Sequence, residues 1–192
     1  MKLHGLILAA GESKRLGQPK QLIKYRNQTL LSSIEQKLLE CCDQVFVVLG
    51  FQTELFKNEI SSAKIIINPD WQSGMGSSLA MGASIASKQA DGLLIALCDQ
   101  PLIEMTHYKQ LSQIFKQHPS QIIATRYQQQ NGVPAIFPEK YFQQLTDIKN
   151  KSGAQFLIHQ NNEQVLNIEC QAASYDIDYA EDLSKLASSS VG

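Results

Sequence analysis

A short stretch near the amino terminus combines small residues with cations in a way that a hydrophobic core does not require. Residues 6–20 read LILAAGESKRLGQPK, so an apolar run gives way abruptly to Gly11, Ser13, Arg15 and Lys20. Backbone N–H groups in a glycine-containing turn can point together at phosphate oxygens. Arginine adds a two-pronged contact and lysine a compact point charge. The stretch therefore predicts an anion site, and the alternative is a polar loop with solvated cations.

A second candidate is Asp99, which ends the apolar run GLLIALCD. A carboxylate at a strand end that faces phosphates is a typical Mg²⁺ ligand, because this ion prefers oxygen ligands and keeps several waters. The alternative is a helix cap, a role that Pro101 two residues later also fits.

The elements that must position these residues alternate along the chain. Short apolar runs predict buried strands, and apolar residues at helical spacing predict helices. The predicted strands are LHGLILAA at 3–10, QVFVVLG at 44–50, AKIIINP at 63–69 and GLLIALCD at 92–99. The predicted helices are TLLSSIEQKLLECC at 29–42, a short one after residue 50, and GSSLAMGASIASK at 76–88. This alternation implies βαβ units and a parallel sheet, whose ligands bind beyond the carboxyl ends of the strands.

The second half of the chain has a different pattern. Strand-like runs are QIIATRY at 121–127, GVPAIF at 132–137 and QVLNIEC at 164–170, with a helix near KYFQQL at 140–145. They predict an antiparallel or mixed extension of the sheet. We therefore expect a single Rossmann-like α/β domain over residues 1–186, mostly parallel, with helices on both faces. A flexible tail is expected over 187–192.

Composition excludes several classes of protein. The 192 residues are 43% hydrophobic and 18% charged, with a formal net charge of −1, which argues against a nucleic-acid binder. The apolar part of the N-terminal segment is too short to span a membrane and runs straight into the motif. Four cysteines without metal-site spacing are typical of reduced thiols. These features predict a cytoplasmic protein.

Five motifs give the chain a family resemblance. In order, they are LAAGESKRLGQPKQL at 8–22, NPDWQSGMGSSL at 68–79, LCDQP at 97–101, GVPAIF at 132–137 and DIDYAEDL at 176–183. The chain resembles the MobA-like nucleotidyltransferases, in particular their molybdenum cofactor cytidylyltransferase branch. It departs from that pattern at NKSGAQ, 150–155, where Lys151 replaces an acidic residue and Gln155 an arginine, and at Gly76, where relatives often have serine. The first departure lies in a loop expected near the second substrate.

The resemblance implies transfer of a nucleoside monophosphate from an NTP to a phosphate on a second molecule, with release of pyrophosphate. It implies that main-chain groups of residues 11–13 cradle phosphates, that Arg15 holds the β- and γ-phosphates, and that Lys20 reaches the α-phosphate. The residues implied to bind nucleotide are Ala9, Ala10, Gly11, Glu12, Ser13, Asn68, Gly74, Ser77 and Ser78. Asn68 would border the base, although an Asn-Pro step is also a plain turn. Ser77 and Ser78 would donate from a helix N-terminus or simply cap it.

Several other residues also have simple structural roles open to them. Within LCDQP we expect Asp99 to hold Mg²⁺, with Asp178 or Asp176 as a second contact and Asp182 at a helix start. Cys98 is predicted to be a core thiol, Trp71 to stack on a ligand or pack on its loop, and the four histidines to be ordinary.

The predicted function is Mg²⁺-dependent transfer of CMP from CTP to a molybdopterin-type molybdenum cofactor. One alternative is guanylyl transfer, or transfer to a sugar phosphate. Another is a non-catalytic nucleotide-binding accessory protein of a molybdoenzyme, against which intact Lys20 and Asp99 speak. A molybdenum hydroxylase or its chaperone is a candidate partner.

Overall fold

The computed structural model describes residues 1–148 and 153–188, in which strands and helices alternate through the first half of the chain. The strands are β1 (Leu3–Leu8), β2 (Lys24–Tyr25), β3 (Gln28–Thr29), β4 (Gln44–Leu49), β5 (Lys64–Ile67), β6 (Gly92–Leu97), β7 (Ile122–Tyr127), β8 (Gln130–Pro138) and β9 (Val165–Glu169). The α-helices are α1 (Leu30–Leu39), α2 (Thr53–Phe56), α3 (Met75–Ala86), α4 (Met105–Gln117), α5 (Phe142–Thr146), α6 (Ala154–Gln160) and α7 (Ala180–Ser188).

Within residues 1–148 and 153–188, the main sheet has seven strands in the order β5-β4-β1-β6-β8-β7-β9. β1 pairs in parallel with β4 and β6, whereas β8 is antiparallel to both of its neighbours. β9 joins β7 in parallel at one edge. The predicted α/β fold, mostly parallel with a mixed extension, is confirmed.

Helices cover both faces of this sheet, because successive side chains of each strand point to opposite sides. On β1, Leu6 and Leu8 contact the core under α3, α5 and α6, while Leu3 and Ile7 contact the core under α1 and α4. The small residues of α3 allow close packing: a Cβ at Gly82 would lie 2.7 Å from Leu6. The continuous apolar runs of the strands therefore contribute side chains to two cores, one on each face of the sheet.

The register of the central strands determines where the functional residues meet. Leu8 at the end of β1 lies opposite Val48 on β4 and Leu97 on β6. The loop that begins at residue 9 and the side chain of Asp99 therefore leave the sheet at the same edge.

Several features differ from the sequence-based expectation, including a hairpin and the bounds of two helices. The β2–β3 hairpin turns through Arg26 and Asn27, both in the left-handed region. The helix predicted over 29–42 covers only Leu30–Leu39, since Thr29 accepts a hydrogen bond from the Ser32 N–H as its N-cap. The last helix includes 187 and 188 of the predicted tail, and residues 189–192 lie outside the described ranges. None of the described helices has the length and apolar character needed to cross a bilayer.

Candidate active site

The loop after β1 begins as a continuation of the sheet. Ala9 donates its N–H to the Val48 carbonyl at 3.0 Å, and the Ala10 carbonyl accepts from the Phe51 N–H at 3.1 Å. Both alanines are consequently buried. The chain leaves the sheet only at Gly11, so the loop starts from a fixed position.

Ser13 shapes the turn that follows. It has a φ of +56°, and its carbonyl accepts from the N–H groups of Leu16 and Gly17. Its Oγ accepts from the Lys20 N–H at 3.2 Å, which ties the turn to the start of the next segment. Serine in the left-handed region is uncommon, and the contacts on both sides hold it there.

Gln21 supports the loop from beneath. Its buried side-chain amide donates to the Ala9 carbonyl at 2.8 Å and to the Gly11 carbonyl at 3.0 Å. These two bonds fix the direction in which the loop leaves the sheet. Sequence reasoning missed this residue, although its place directly after Lys20 within the first motif was a signal.

Lys20 and two aspartates form the charged centre of the site. The Lys20 Nζ donates to Asp99 Oδ2 at 2.7 Å and to Asp178 Oδ1 at 2.9 Å. Burial alone would lower the pKa of Lys20, but the charge of Asp99 and the hydrogen bonds to both carboxylates outweigh it, and the pKa lies above its ordinary value. Lys20 is therefore a permanent cation at the edge of the sheet.

The two aspartates differ in their surroundings. Asp99 Oδ1 is buried and has no hydrogen-bond partner among the described residues, whereas the Asp178 side chain is 45% exposed. A buried carboxylate oxygen without a donor suits a cation, so Asp99 fits a divalent metal ligand. Asp178 lies on the other side of Lys20 and is open to solvent. No group of three or more candidate metal ligands occurs within the described parts of the chain.

Asp176 and Asp182 lie on either side of Asp178 in the sequence, and their surroundings differ. Desolvation and the nearby charge of Asp99 raise the pKa of Asp176 to about 6. Asp182 Oδ2 accepts from the backbone N–H groups of Asp178 and Tyr179, just before α7. Asp182 thus serves the helix start, as predicted.

A cavity of about 660 Å³ opens beside these groups. Its wall includes nine of the predicted residues: Ala9, Ala10, Gly11, Glu12, Ser13, Lys20, Gly74, Ser78 and Asp99. It also includes residues that were not assigned to the site: Leu8, Lys14, Gln21, Gln72, Met75, Leu97 and the core thiol Cys98. The first motif and the start of α3 therefore form opposite walls of one cavity.

Trp71 lies between the cavity and the turn after β4. It lines the cavity, and its ring packs edge-on against Phe51 at 5.5 Å between centroids. The backbone of Gly50 leaves room for the indole, since a Cβ there would lie 2.5 Å from Trp71 Cβ.

Asn68, which was predicted to border a base, lies in the turn after β5. Asn68 is buried; its Nδ2 donates to the Oγ atoms of Ser77 and Ser78, and its Oδ1 accepts from the Asp70 N–H. The side chain instead ties the turn after β5 to the first turn of α3. Ser77 also donates within this turn and lies outside the cavity wall, while Ser78 reaches it.

Arg15 also lies outside the cavity wall in this structure. Its guanidinium is over the Tyr179 ring, 5.9 Å from the centroid, on the exposed side of the loop. Lys14 lines the cavity in its place and pairs with Glu12 at 3.1 Å. Both side chains are exposed, but only Lys14 borders the cavity.

The remaining candidates have structural contacts. Cys98 is buried in the core under α1 and α4, as predicted. His4 contacts the Ala86 carbonyl, and burial lowers the pKa of His107 to about 4. His107 Nε2 lies 2.8 Å from Thr125 Oγ1.

The sequence signature of the MobA-like NTP transferase domain matches residues 5–165. The chain belongs to this family. It is a nucleotidyltransferase, and the predicted family assignment is confirmed. The chain departs from the family pattern at residues 150–155. In this loop, Lys151 lies outside the described residues, and Gln155 is exposed near the start of α6.

The relatives of this transferase differ in name, as three of them illustrate. Nicotine blue oxidoreductase of Paenarthrobacter nicotinovorans is 30% identical over 95% of both chains. The molybdenum cofactor cytidylyltransferase of Escherichia coli is 26% identical over 55% of this chain and 56% of its own. A probable molybdenum cofactor guanylyltransferase of Bacillus cytotoxicus is 24% identical over 82% and 80%.

A solved structure extends the likeness to the whole fold. Rv0371c of Mycobacterium tuberculosis superposes with a TM-score of 0.83 at 26% identity, over 97% of each chain. The same mycobacterial protein was also solved in complex with manganese; that structure has a TM-score of 0.80 at 24% identity over 98% and 100%.

Proposed function

We propose that this nucleotidyltransferase moves CMP from CTP to a phosphate of a molybdopterin-type molybdenum cofactor, with Mg²⁺ as its metal. The observation that carries the proposal is the convergence of the first loop, Lys20 and Asp99 on one cavity of about 660 Å³. That cavity has the size of a small-molecule site and is open at the carboxyl edge of the parallel strands.

The chemistry needs electrostatic stabilisation more than proton transfer. The attacking phosphate is already an anion, so no general base is required. Negative charge on the α-phosphate and the departing pyrophosphate must instead be neutralised by cations and backbone donors. The main chain of residues 11–13 supplies donors, Lys14 and Arg15 supply charge along the loop, and Lys20 faces the reacting phosphate.

The cation Lys20 is positioned for this role by its carboxylate partners. Held by Asp99 and Asp178, it cannot swing away from the cavity edge. A fixed cation stabilises developing charge without the cost of reorganising at the moment of reaction. Arg15 lies just outside the cavity wall, on the same loop, and is assigned to the β- and γ-phosphates.

Mg²⁺ would be held by Asp99, with Asp178 as the second carboxylate. The unpartnered Asp99 Oδ1 supports this assignment. When bound, the ion supplies charge neutralisation for the phosphates and orients them.

A direct experiment measures pyrophosphate release from CTP, GTP, UTP and ATP, each with the molybdopterin-type acceptor. The proposal predicts that CTP is used best, that EDTA stops the reaction and that Mg²⁺ restores it. Mn²⁺ is the comparison metal. Pyrophosphate release that needs the acceptor excludes a non-catalytic accessory protein, while better use of GTP replaces the cytidylyl assignment with the guanylyl one.

A second candidate function is oxidation–reduction, because the chain is 30% identical to nicotine blue oxidoreductase over 95% of its length. A site with backbone donors for phosphates also suits the pyrophosphate of a dinucleotide cofactor. Oxidation of NADH or NADPH in the presence of nicotine blue, followed by absorbance, tests it. Such oxidation without pyrophosphate release in the first assay would favour this candidate over nucleotidyl transfer.

We further propose that the enzyme acts in the cytoplasm and delivers its product to a molybdenum hydroxylase or its chaperone. The cytoplasmic location is supported by the four cysteines, all of which are described and are free thiols.

A further inference from the structure

The cavity lined by Lys20 and Asp99 is called the nucleotide cavity below. A second cavity, of about 440 Å³, lies at the opposite end of the sheet. It is formed where the turn after α1 meets α4, and both Cys41 and Cys42 line it together with Lys109 and Lys116. These cysteines precede β4, whose far end leads to the nucleotide cavity. The mechanism proposed above uses neither thiol.

The two thiols are close but unequal. Their Sγ atoms are 4.0 Å apart. Cys42 packs against the sheet, where a Cβ at Gly5 would lie 3.2 Å from its Sγ. Cys41 lies at the end of α1, where its Sγ is 3.5 Å from the Lys37 carbonyl. One sulfur is thus held under the strand, and the other sits at the helix end.

The pKa values of the two thiols are also shifted in opposite directions. The hydrogen bond between the two thiols lowers the pKa of Cys41, and the charges of Lys109 and Lys116 act in the same direction, whereas burial and the charge of Glu40 act against it. That hydrogen bond, together with burial, raises the pKa of Cys42 well above its ordinary value. The thiolate is the nucleophile in thiol–disulfide exchange, so Cys41 is the attacking sulfur.

We propose that Cys41 and Cys42 form a reversible dithiol site that is oxidised by low-molecular-weight disulfides. In the first step the Cys41 thiolate attacks one sulfur of the small disulfide, forms a mixed disulfide and releases one small thiolate. In the second step the Cys42 sulfur loses its proton and attacks Cys41 Sγ. The Cys41–Cys42 bond forms, and the second small thiolate leaves and takes up that proton. The two cysteines are oxidised by two electrons, and one small disulfide is reduced to two thiols.

Ring closure requires the sulfurs to approach from 4.0 Å to about 2.05 Å. Because the two cysteines are adjacent, their Cα atoms are about 3.8 Å apart, which is closer than in most disulfides, so ring closure also requires the backbone of the turn after α1 to rearrange. Lys109, paired with Glu40 at 3.5 Å, lies beside that turn.

The experiment incubates the full chain with oxidised glutathione and follows the products by mass spectrometry. Residues 38–57 form one tryptic peptide that contains both cysteines. The wild-type peptide is expected to lose two hydrogens, and dithiothreitol is expected to restore them. Cys42→Ser should stop at a glutathione adduct on Cys41, and Cys41→Ser should react at least tenfold more slowly.

Cys170→Ser is the matched control, because Cys170 is a partly buried thiol whose pKa is raised by burial. It should behave as the wild type does. A wild-type peptide that keeps both thiols, or stays as the adduct without ring closure, overturns the proposal, as does a Cys41→Ser variant that reacts at the wild-type rate. Pyrophosphate release is not a readout here, so the result is independent of the proposed function.

Discussion

Replacing Gln21 by leucine tests whether this buried amide holds the nucleotide loop. The change removes two hydrogen bonds, to the Ala9 and Gly11 carbonyls, at nearly constant volume. Each such bond contributes about 0.5–1.5 kcal/mol, which gives a loss of about 1–3 kcal/mol. The loss is expected near the lower end, because Gln21 Oε1 is already buried without a partner among the described residues. For a domain of this size, each kcal/mol lowers Tm by about 2–4 °C.

The functional effect of Gln21→Leu should exceed its effect on stability. A loosened loop no longer presents the main chain of residues 11–13 to phosphates, so the affinity for CTP should fall at least tenfold while the protein stays folded. Thermal unfolding and calorimetric CTP binding measure the two quantities. The control is Gln18→Leu, because Gln18 is an exposed glutamine in the same loop. If both variants bind CTP equally well, Gln21 does not position the loop and the reasoning is refuted.

Three further predictions concern the site. Lys20→Ala should reduce turnover by about 100-fold or more and should lower CTP affinity less. Arg15→Ala should lower CTP affinity more than it lowers turnover. Steady-state kinetics and binding assays that give the opposite order would disprove the placement of the phosphates. CTP should exceed GTP by at least tenfold in kcat/KM, and Ala10→Gly, which removes a methyl group from the cavity wall, should narrow that ratio; an unchanged ratio would contradict a role for Ala10. The pKa of Asp176 is about 6 in the folded chain and 3.8 ordinarily. The free energy of unfolding therefore falls as pH rises from about 3.8 to about 6, because the folded chain resists ionisation of Asp176. Asp176→Asn should therefore raise Tm at pH 7.5 more than at pH 4, and an equal change at both would contradict the assigned pKa.

Much of the fold could be predicted because its signals are local. The buried parallel strands are short apolar runs, and α1 and α3 follow segments with clear turn residues. The β2–β3 hairpin was missed because each strand has only two residues, too few for any periodicity. The helix α4 was missed although Tyr108, Leu111 and Phe115 form a buried stripe along it.

The site was less predictable, because its geometry depends on contacts between distant residues. Motif spacing located Lys20 and Asp99 at one edge. The approach of Asp178 to Lys20 depends on the last segment of the chain, whose Ile177 N–H donates to the Asp99 carbonyl just beyond β6. Sequence order alone did not show that Lys14, rather than Arg15, lines the cavity, nor that Asn68 is engaged by Ser77 and Ser78.

The most direct test of the account compares pyrophosphate release from CTP by the wild-type protein, Asp99→Asn and Asp147→Asn. Asparagine at 99 keeps the shape and an acceptor for Lys20 but removes the negative charge, while Asp147 is an exposed carboxylate paired with Gln143. With Mg²⁺ and the molybdopterin-type acceptor, Asp99→Asn should lose at least about 100-fold in turnover, and Asp147→Asn should match the wild type. A folded Asp99→Asn variant that releases pyrophosphate at nearly the wild-type rate would contradict the central claim.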